Sequence, residues 1–157
     1  MSNENCIKLT DYLTRDNILF LRGRQNKSEV LNALIDLITE HEDIDSREEF
    51  AHDIFHRETL LSTGIGNNIA VPHTRLDEVD NAAVALAVVP EGVSDYQGPD
   101  GLPVKLVFMI VAGKDRKTIH IKLVSTIAKL FDGRMKAAFL ASSDAKTCMD
   151  ILTIAEK

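Results

Sequence analysis

One stretch of the sequence combines the residue types that bind and transfer a phosphoryl group. Residues 57–75 read RETLLSTGIGNNIAVPHTR. The histidine of this stretch, His73, has a neutral ring that is a nucleophile, and an ordinary pKa of about 6.5 leaves much of that ring neutral near pH 7. Phosphoryl transfer asks a protein mainly for in-line positioning and charge stabilisation. The stretch therefore makes His73 a candidate phosphoryl acceptor.

Other residues of the same stretch are suited to phosphoryl oxygens. Arg57 carries a planar guanidinium that matches phosphate geometry. Glycines let a backbone approach an anion closely, successive N–H groups can form an anion-binding nest, and hydroxyl groups add donors. The predicted phosphate-binding loop consists of Ser62, Thr63, Gly64, Ile65, Gly66 and Asn67. Taken alone, the two glycines indicate only a turn, and Arg57 also fits a solvated helix C-terminus.

Pro72 indicates how the candidate histidine is presented. Proline fixes its own φ and favours an extended conformation at the preceding residue. Because proline is poorly tolerated inside a central strand, a short strand over residues 68–71 is expected to end near Pro72. His73 then lies at a strand end, where α/β proteins tend to place ligand sites.

A second histidine, His120, is predicted near the start of a long helix. A cation at a helix N-terminus is mildly disfavoured, so this position favours a neutral ring. The remaining histidines have no comparable surroundings in the sequence, because they fall on predicted helices or at their ends. They are His41, His52 and His56.

The elements that must position these residues alternate between strands and helices. Apolar runs predict strands over residues 17–21, 68–71, 82–89 and 104–111. Helical spacing predicts helices over residues 28–40, 46–58, 117–131, 132–141 and 143–154, with Ser46 and Glu49 forming a capping box. The interleaving predicts one α/β domain over residues 1–157, a mixed β-sheet flanked by α-helices. The sheet is expected to be mixed because no helical pattern separates 82–89 from 104–111, which favours antiparallel pairing.

Composition excludes several classes of protein. The formal net charge of −6 disfavours nucleic acid as a partner, since phosphate-backbone binding needs clustered Lys and Arg. Cys6 and Cys148 form no CxxC pair, which predicts free thiols in a reducing cytoplasm. Residues 1–10 lack a signal-peptide core, and the most apolar run, 104–112, is far shorter than the ~20 residues of a membrane span. A cytoplasmic chain without membrane insertion is expected.

The stretch ending at His73 resembles the signature of a known family. The resemblance is carried by Arg57-Glu58, by STGIGN at residues 62–67 and by AVPH at 70–73. It is a resemblance to the fructose/mannitol-type enzyme IIA domains of the bacterial phosphoenolpyruvate-dependent sugar phosphotransferase system, which include nitrogen-related regulatory members. The early strand and helix, the strand at 104–111 and the segment 120–123 also have counterparts, so the resemblance covers nearly the whole chain. Asn68 stands where the family commonly has Gly, and Asn tolerates positive φ.

The resemblance implies a role for each candidate residue. His73 matches the phosphorylated histidine of the family, His120 its second active-site histidine and Arg57 its active-site arginine. The implied donor is the histidine phosphocarrier protein, and the implied acceptor is a cysteine on an enzyme IIB domain. No metal or organic cofactor is implied, since protein groups supply the charge. The implied fold is a mixed sheet flanked by helices, and Ile65 and Val71 are expected in an apolar docking rim.

Three alternatives to sugar transport remain open at this point. The chain is expected to stand alone, without an appended enzyme IIB or membrane domain, as the regulatory members do, so it could bind target proteins according to its phosphorylation state. A metal-dependent hydrolase built on His73 and His120 is disfavoured, because HExxH and a compact third ligand are lacking. An interaction domain that has lost transfer is disfavoured by the joint presence of His73, His120 and Arg57.

Overall fold

The computed structural model describes residues 7–116 and 118–157, which form one mixed sheet with helices on both faces. The strands are β1 (Ile18–Phe20), β2 (Gly64–Gly66), β3 (Ile69–Ala70), β4 (His73–Leu76), β5 (Ala82–Val88) and β6 (Leu106–Gly113). The helices are α1 (Lys27–His41), α2 (Arg47–Leu60), α3 (Ile119–Leu130), α4 (Gly133–Ala141) and α5 (Ala145–Ala155). Two 3₁₀ turns, Leu9–Asp11 and Arg15–Asn17, precede β1. The predicted α/β class and mixed sheet are confirmed.

Strand β6 organises the sheet. It pairs antiparallel with the whole of β5, over residues 106–112, which confirms the pairing expected from the sequence. On its other side β6 pairs parallel with β3 and then with β4, which lie end to end. Strand β1 adds to β5 in parallel, and β2 adds to β3 as an antiparallel hairpin. Strand β6 is buried throughout, as its continuous apolar run predicts, although it begins and ends two residues later than expected.

Pro72 separates β3 from β4. It has no N–H to give to the ladder, but its carbonyl accepts a hydrogen bond from the Ile110 N–H at 2.9 Å. The strand predicted over 68–71 therefore does end near Pro72. The chain then resumes pairing with β6 as β4, an element that its polar sequence, HTRL, did not predict.

Each face of the sheet carries its own part of the core. On one face α3, α4 and α5 pack around Phe108, Phe131 and Phe139, whose rings meet edge to face at 4.8 Å between centroids. On the other face α1 and α2 pack against residues such as Val107 and Met109. Alternate side chains of β6 thus serve alternate faces, which fixes where α2 and α3 stand relative to β4.

Capping residues set the helix boundaries. The Ser46 hydroxyl accepts a hydrogen bond from the Glu49 N–H at 3.2 Å, but the reciprocal bond of the predicted capping box is absent from the described residues. A complete box forms instead at Asn26 and Glu29, before α1. The helix expected from Lys117 begins at Ile119, and Lys117 lies outside the described residues.

Two other expectations concern cysteines and membranes. Cys148 is a buried free thiol, and burial raises its pKa. Cys6 lies outside the described residues. Among residues 7–116 and 118–157, none of the helices combines the length and apolar character that a membrane span requires.

Candidate functional site

His73 lies at the edge of the sheet, where β3 gives way to β4. Its ring is half-buried, and its Nδ1 is 3.0 Å from the carbonyl oxygen of Val71. A carbonyl oxygen can only accept, so Nδ1 carries the proton in this contact. The lone pair of the neutral ring is then on Nε2. The backbone just before Pro72 thus selects the tautomer of His73.

His120 faces His73 from the first turn of α3. The two rings stack with their centroids 5.0 Å apart and their planes inclined by 16°. The fold therefore brings together the two histidines singled out in the sequence. The Nδ1 atom of His120 is buried and has no hydrogen-bond partner among the described residues. A buried polar atom without a partner is unusual, and in this position it belongs to a ring beside the candidate acceptor.

The surroundings of His120 favour its neutral form. Burial lowers the pKa of His120 below the ordinary value, and repulsion from His73, Arg75 and Arg57 lowers it further. The sequence predicted a neutral ring from the helix dipole alone. The structure adds burial and nearby positive charge as causes.

Arg57 lies in the last turn of α2 and is bound to Asp53. Its Nε is 3.3 Å from Asp53 Oδ2, one helical turn away. The same carboxylate oxygen accepts a hydrogen bond from the hydroxyl of Thr74, the residue after His73. Asp53 therefore links Arg57 on α2 to β4. The expected placement of Arg57 near the two histidines is consistent with its effect on the pKa of His120.

Arg75 is a residue of this site that the sequence did not reveal. Side chains two residues apart in a strand point to the same face, so Arg75 shares a face of β4 with His73. Arg75 is exposed and close enough to lower the pKa of His120. The alternation of HTRL would have indicated it, had β4 been recognised as a strand.

The segment 62–67 forms a hairpin arm and not an open nest. Residues Gly64 and Gly66 belong to β2, and Asn67 and Asn68 make the turn with φ of 56° and 67°. Positive φ at both central residues is typical of a type I′ hairpin turn, and Asn68 adopts the conformation expected of it. The Asn67 N–H donates to the Asp100 carboxylate at 2.8 Å. Lys136 Nζ binds the side-chain oxygens of Asn67 and Asn68 at 2.7 and 2.8 Å, so the turn carries both a carboxylate and an ammonium group.

Thr63 is likewise bound to a carboxylate. Its hydroxyl donates to Glu58 at 2.5 Å, its N–H lies 3.4 Å from the other Glu58 oxygen, and its Oγ1 is 2.5 Å from the Tyr96 hydroxyl. The Thr63 hydroxyl and the Asn67 N–H are therefore already bonded to carboxylates, and the binding of phosphate by residues 62–67 stays a prediction. Asp100, from the loop before β6, takes up the Asn67 N–H, whereas the Thr63 hydroxyl and N–H bond to Glu58, five residues earlier.

Comparison with known proteins identifies the family. Residues 11–154 match the family described as "Phosphoenolpyruvate-dependent sugar phosphotransferase system, EIIA 2". The chain belongs to this enzyme IIA family. The family includes both sugar-specific and nitrogen regulatory members.

Three relatives illustrate the range of this family. The fructose-specific EIIABC component of Bacillus subtilis is 32% identical over 124 residues, 79% of this chain but only 19% of that protein. The nitrogen regulatory protein IIA-Ntr from Neisseria meningitidis has a TM-score of 0.79 and 25% identity, covering 94% of this chain and 98% of its own. Enzyme IIA for mannitol from Escherichia coli, solved in complex with phosphorylated enzyme IIB, has a TM-score of 0.73 and 23% identity, covering 89% and 96%.

A groove of about 640 Å³ adjoins His73 in this enzyme IIA chain. Ser62, Gly64 and Ile65 from the predicted loop border it, and most of its other walls are apolar. Ile65 is exposed as expected, whereas Val71 contributes to the groove but is itself buried. The exposed apolar rim is instead supplied by side chains next to the site. They are Leu60, Leu61, Ile65 and Ile121.

The described residues of the enzyme IIA chain contain no group of three or more His, Cys, Asp or Glu side chains arranged to share a metal ion. The charged groups around His73 are the guanidinium groups of Arg57 and Arg75, together with the Asp53 carboxylate. This charge suits an anionic group on His73.

Proposed function

We propose that His73 accepts a phosphoryl group from the histidine phosphocarrier protein and passes it to a cysteine of an enzyme IIB domain during sugar uptake. The observation that carries this proposal is the contact of His73 Nδ1 with the Val71 carbonyl. It leaves the Nε2 lone pair of a neutral ring as the nucleophile.

The proposed transfer consists of one displacement at phosphorus. The lone pair of His73 Nε2 attacks the phosphorus held on the donor histidine. The donor P–N bond breaks, and its electron pair returns to the donor ring. His73 keeps the Nδ1 proton, shared with the Val71 carbonyl, so the positive ring is offset by the negative phosphoryl oxygens. An acceptor thiolate then attacks the same phosphorus, and the P–N electron pair returns to Nε2.

Three side chains supply the charge and donors for this step. Arg57 and Arg75 place positive charge beside the histidine pair. The lowered pKa of His120 favours its neutral form, which does not repel the cationic ring of phosphorylated His73, and since Nδ1 is buried its Nε2 is the nitrogen that would donate to a phosphoryl oxygen. Preorganised donors of this kind stabilise charge in the transition state without reorganisation. The apolar rim supplies a contact surface for both partners.

Regulation is the alternative outcome of the same phosphorylation. The near end-to-end similarity to IIA-Ntr of N. meningitidis supports it. Phosphorylation adds about two negative charges beside the apolar rim and would change which protein binds there. A pull-down comparing the phosphorylated and unphosphorylated chains separates the two roles. Recovery of only a sugar-transporting enzyme IIB supports transport, and a target retained by one phosphorylation state supports regulation.

The test of phosphorylation is intact mass after incubation with phosphoenolpyruvate, enzyme I and the histidine phosphocarrier protein. We expect one phosphate on the native chain at neutral pH, lost in acid, and none on His73→Ala. His52→Ala is the matched control, because it removes an exposed histidine of α2. It should still take one phosphate. Sustained incorporation into His73→Ala, or none into the folded native chain, would contradict the proposal.

A further inference from the structure

Asp53 contacts two elements of the histidine site while touching neither histidine. One oxygen, Oδ2, accepts from both the Thr74 hydroxyl and the Arg57 Nε. Thr74 is 1% exposed and follows His73 in β4. Within residues 7–116 and 118–157, Asp53 is the one hydrogen-bond partner of the Arg57 side chain. The position of Arg57 in this state is therefore set by a carboxylate that is fixed to the strand bearing His73.

A phosphoryl group on His73 would change the balance of charge around this carboxylate. It adds about two negative charges close to Arg57. Arg57 is half-exposed and can turn about its side-chain bonds, whereas Asp53 is anchored through the buried Thr74 hydroxyl. The carboxylate and the phosphoryl group must then share one guanidinium.

We propose that Asp53 is a positioning residue that holds Arg57 in the unphosphorylated chain and competes for it with the phosphoryl group. The competition weakens the hold of the site on the phosphoryl group and keeps that group transferable. This inference rests on the proposed function, because it presupposes phosphate on His73. It adds a residue that acts through Arg57 and does not itself contact the reacting atoms.

The test measures the equilibrium distribution of phosphate between the histidine phosphocarrier protein and this chain. Both proteins are mixed after the phosphoenolpyruvate has been removed, and the phosphorylated fraction of each is read by intact mass. Asp53→Asn keeps an oxygen that can accept from Thr74 but loses the charge. We expect it to shift the equilibrium toward the phosphorylated chain by about three- to fivefold, the range for a partly exposed ion pair.

Two further variants identify the cause of the shift. Glu48→Gln removes the same charge from an exposed position on the same helix and should leave the equilibrium unchanged. Asp53→Asn in an Arg57→Ala background should have little effect, because the guanidinium for which the two anions compete is gone. A loss of structure alone would not produce this dependence on Arg57. Circular dichroism establishes that each variant is folded at the temperature used.

The outcomes separate this inference from the function on which it rests. A folded native chain that takes no phosphate would overturn both. A phosphorylated native chain whose equilibrium is the same with Asp53→Asn would overturn the inference alone. A full shift that persists without Arg57 would also overturn it, since Asp53 would then act by direct repulsion and not by holding Arg57.

Discussion

Two neighbouring residues of α2, Arg57 and Glu58, belong to polar clusters that differ in how completely they are satisfied. The Glu58 side chain is 3% exposed and binds Lys27 Nζ at 2.9 Å together with the hydroxyl and N–H of Thr63. In the histidine cluster, Arg57 has one carboxylate contact through Nε and is half-exposed. The buried Nδ1 of His120 has no partner among the described residues.

The difference indicates that the two clusters have different tasks. A buried polar network whose groups are all paired rigidifies the structure around it. The Glu58 network ties α2 to Lys27 at the start of α1 and to Thr63, which lines the groove just before β2. The histidine cluster leaves the buried Nδ1 of His120 unpaired at some cost in stability, and the half-exposed Arg57 keeps guanidinium N–H groups available to a ligand. The Glu58 network stabilises the structure beside the groove, and the histidine cluster carries the proposed chemistry.

The largest effect on the free energy of unfolding is expected when the Glu58 network is broken. Glu58→Ala leaves Lys27 without its carboxylate and Thr63 without its acceptor. Removing one partner of a buried pair costs about 3–5 kcal/mol, and the partial exposure of Lys27 favours about 3 kcal/mol here. Urea unfolding followed by circular dichroism measures the free energy of unfolding.

His73→Ala is the matched comparison for that experiment. It should change the free energy of unfolding by at most about 1 kcal/mol, because the ring is half-buried, makes one local hydrogen bond and otherwise stacks on His120. A loss below about 1 kcal/mol for Glu58→Ala, or an equal loss for both variants, would remove the distinction between the two clusters.

The next effect concerns the rate of transfer. His120→Ala removes a donor proposed to face the phosphoryl oxygens, and loss of one such donor typically slows a reaction by about 10²-fold or more. We expect transfer from the histidine phosphocarrier protein, followed by rapid quench, to slow about 100-fold with the chain still folded. His56→Ala, on the exposed face of α2, should transfer at the native rate. Native kinetics in His120→Ala would argue against any role of His120 in transfer.

The parts of this site that the sequence predicted are those encoded locally. Pro72 marked the end of β3, the apolar run of residues 104–111 marked β6, and the motif singled out His73 and Arg57. The strand β4 escaped prediction because its four residues carry no apolar run and pair with β6 alone. Arg75 was missed for the same reason, since its relation to His73 depends on strand alternation.

The parts that the sequence could not show depend on contacts between distant residues. Residues 62–67 resemble an anion-binding loop as long as their neighbours are unknown. Asp100, 33 residues from Asn67, accepts from the Asn67 N–H, and the Tyr96 hydroxyl, 33 residues from Thr63, lies against the Thr63 hydroxyl. Similarly, nothing near Asp53 in the sequence indicates that it reaches Thr74 across the fold. Local patterns predicted which side chains could bind or accept a phosphoryl group. Tertiary contacts determine which of these side chains already have hydrogen-bond partners.

The smallest expected effect is specific to the histidine cluster and concerns the pKa of His120. Burial is the first cause that lowers its pKa, followed by repulsion from His73 and the two arginines. In pH titrations by NMR, its midpoint should lie below the ordinary value of about 6.5. The unfolded chain then binds more protons at this position just below pH 6.5, so this histidine makes the fold less stable as pH falls through that window. Phosphorylation of His73 should raise the midpoint, because negative charge favours the cation, and Arg57→Ala should raise it less. If the titration midpoint of His120 stays the same after both changes, neither the phosphoryl group nor Arg57 acts on His120.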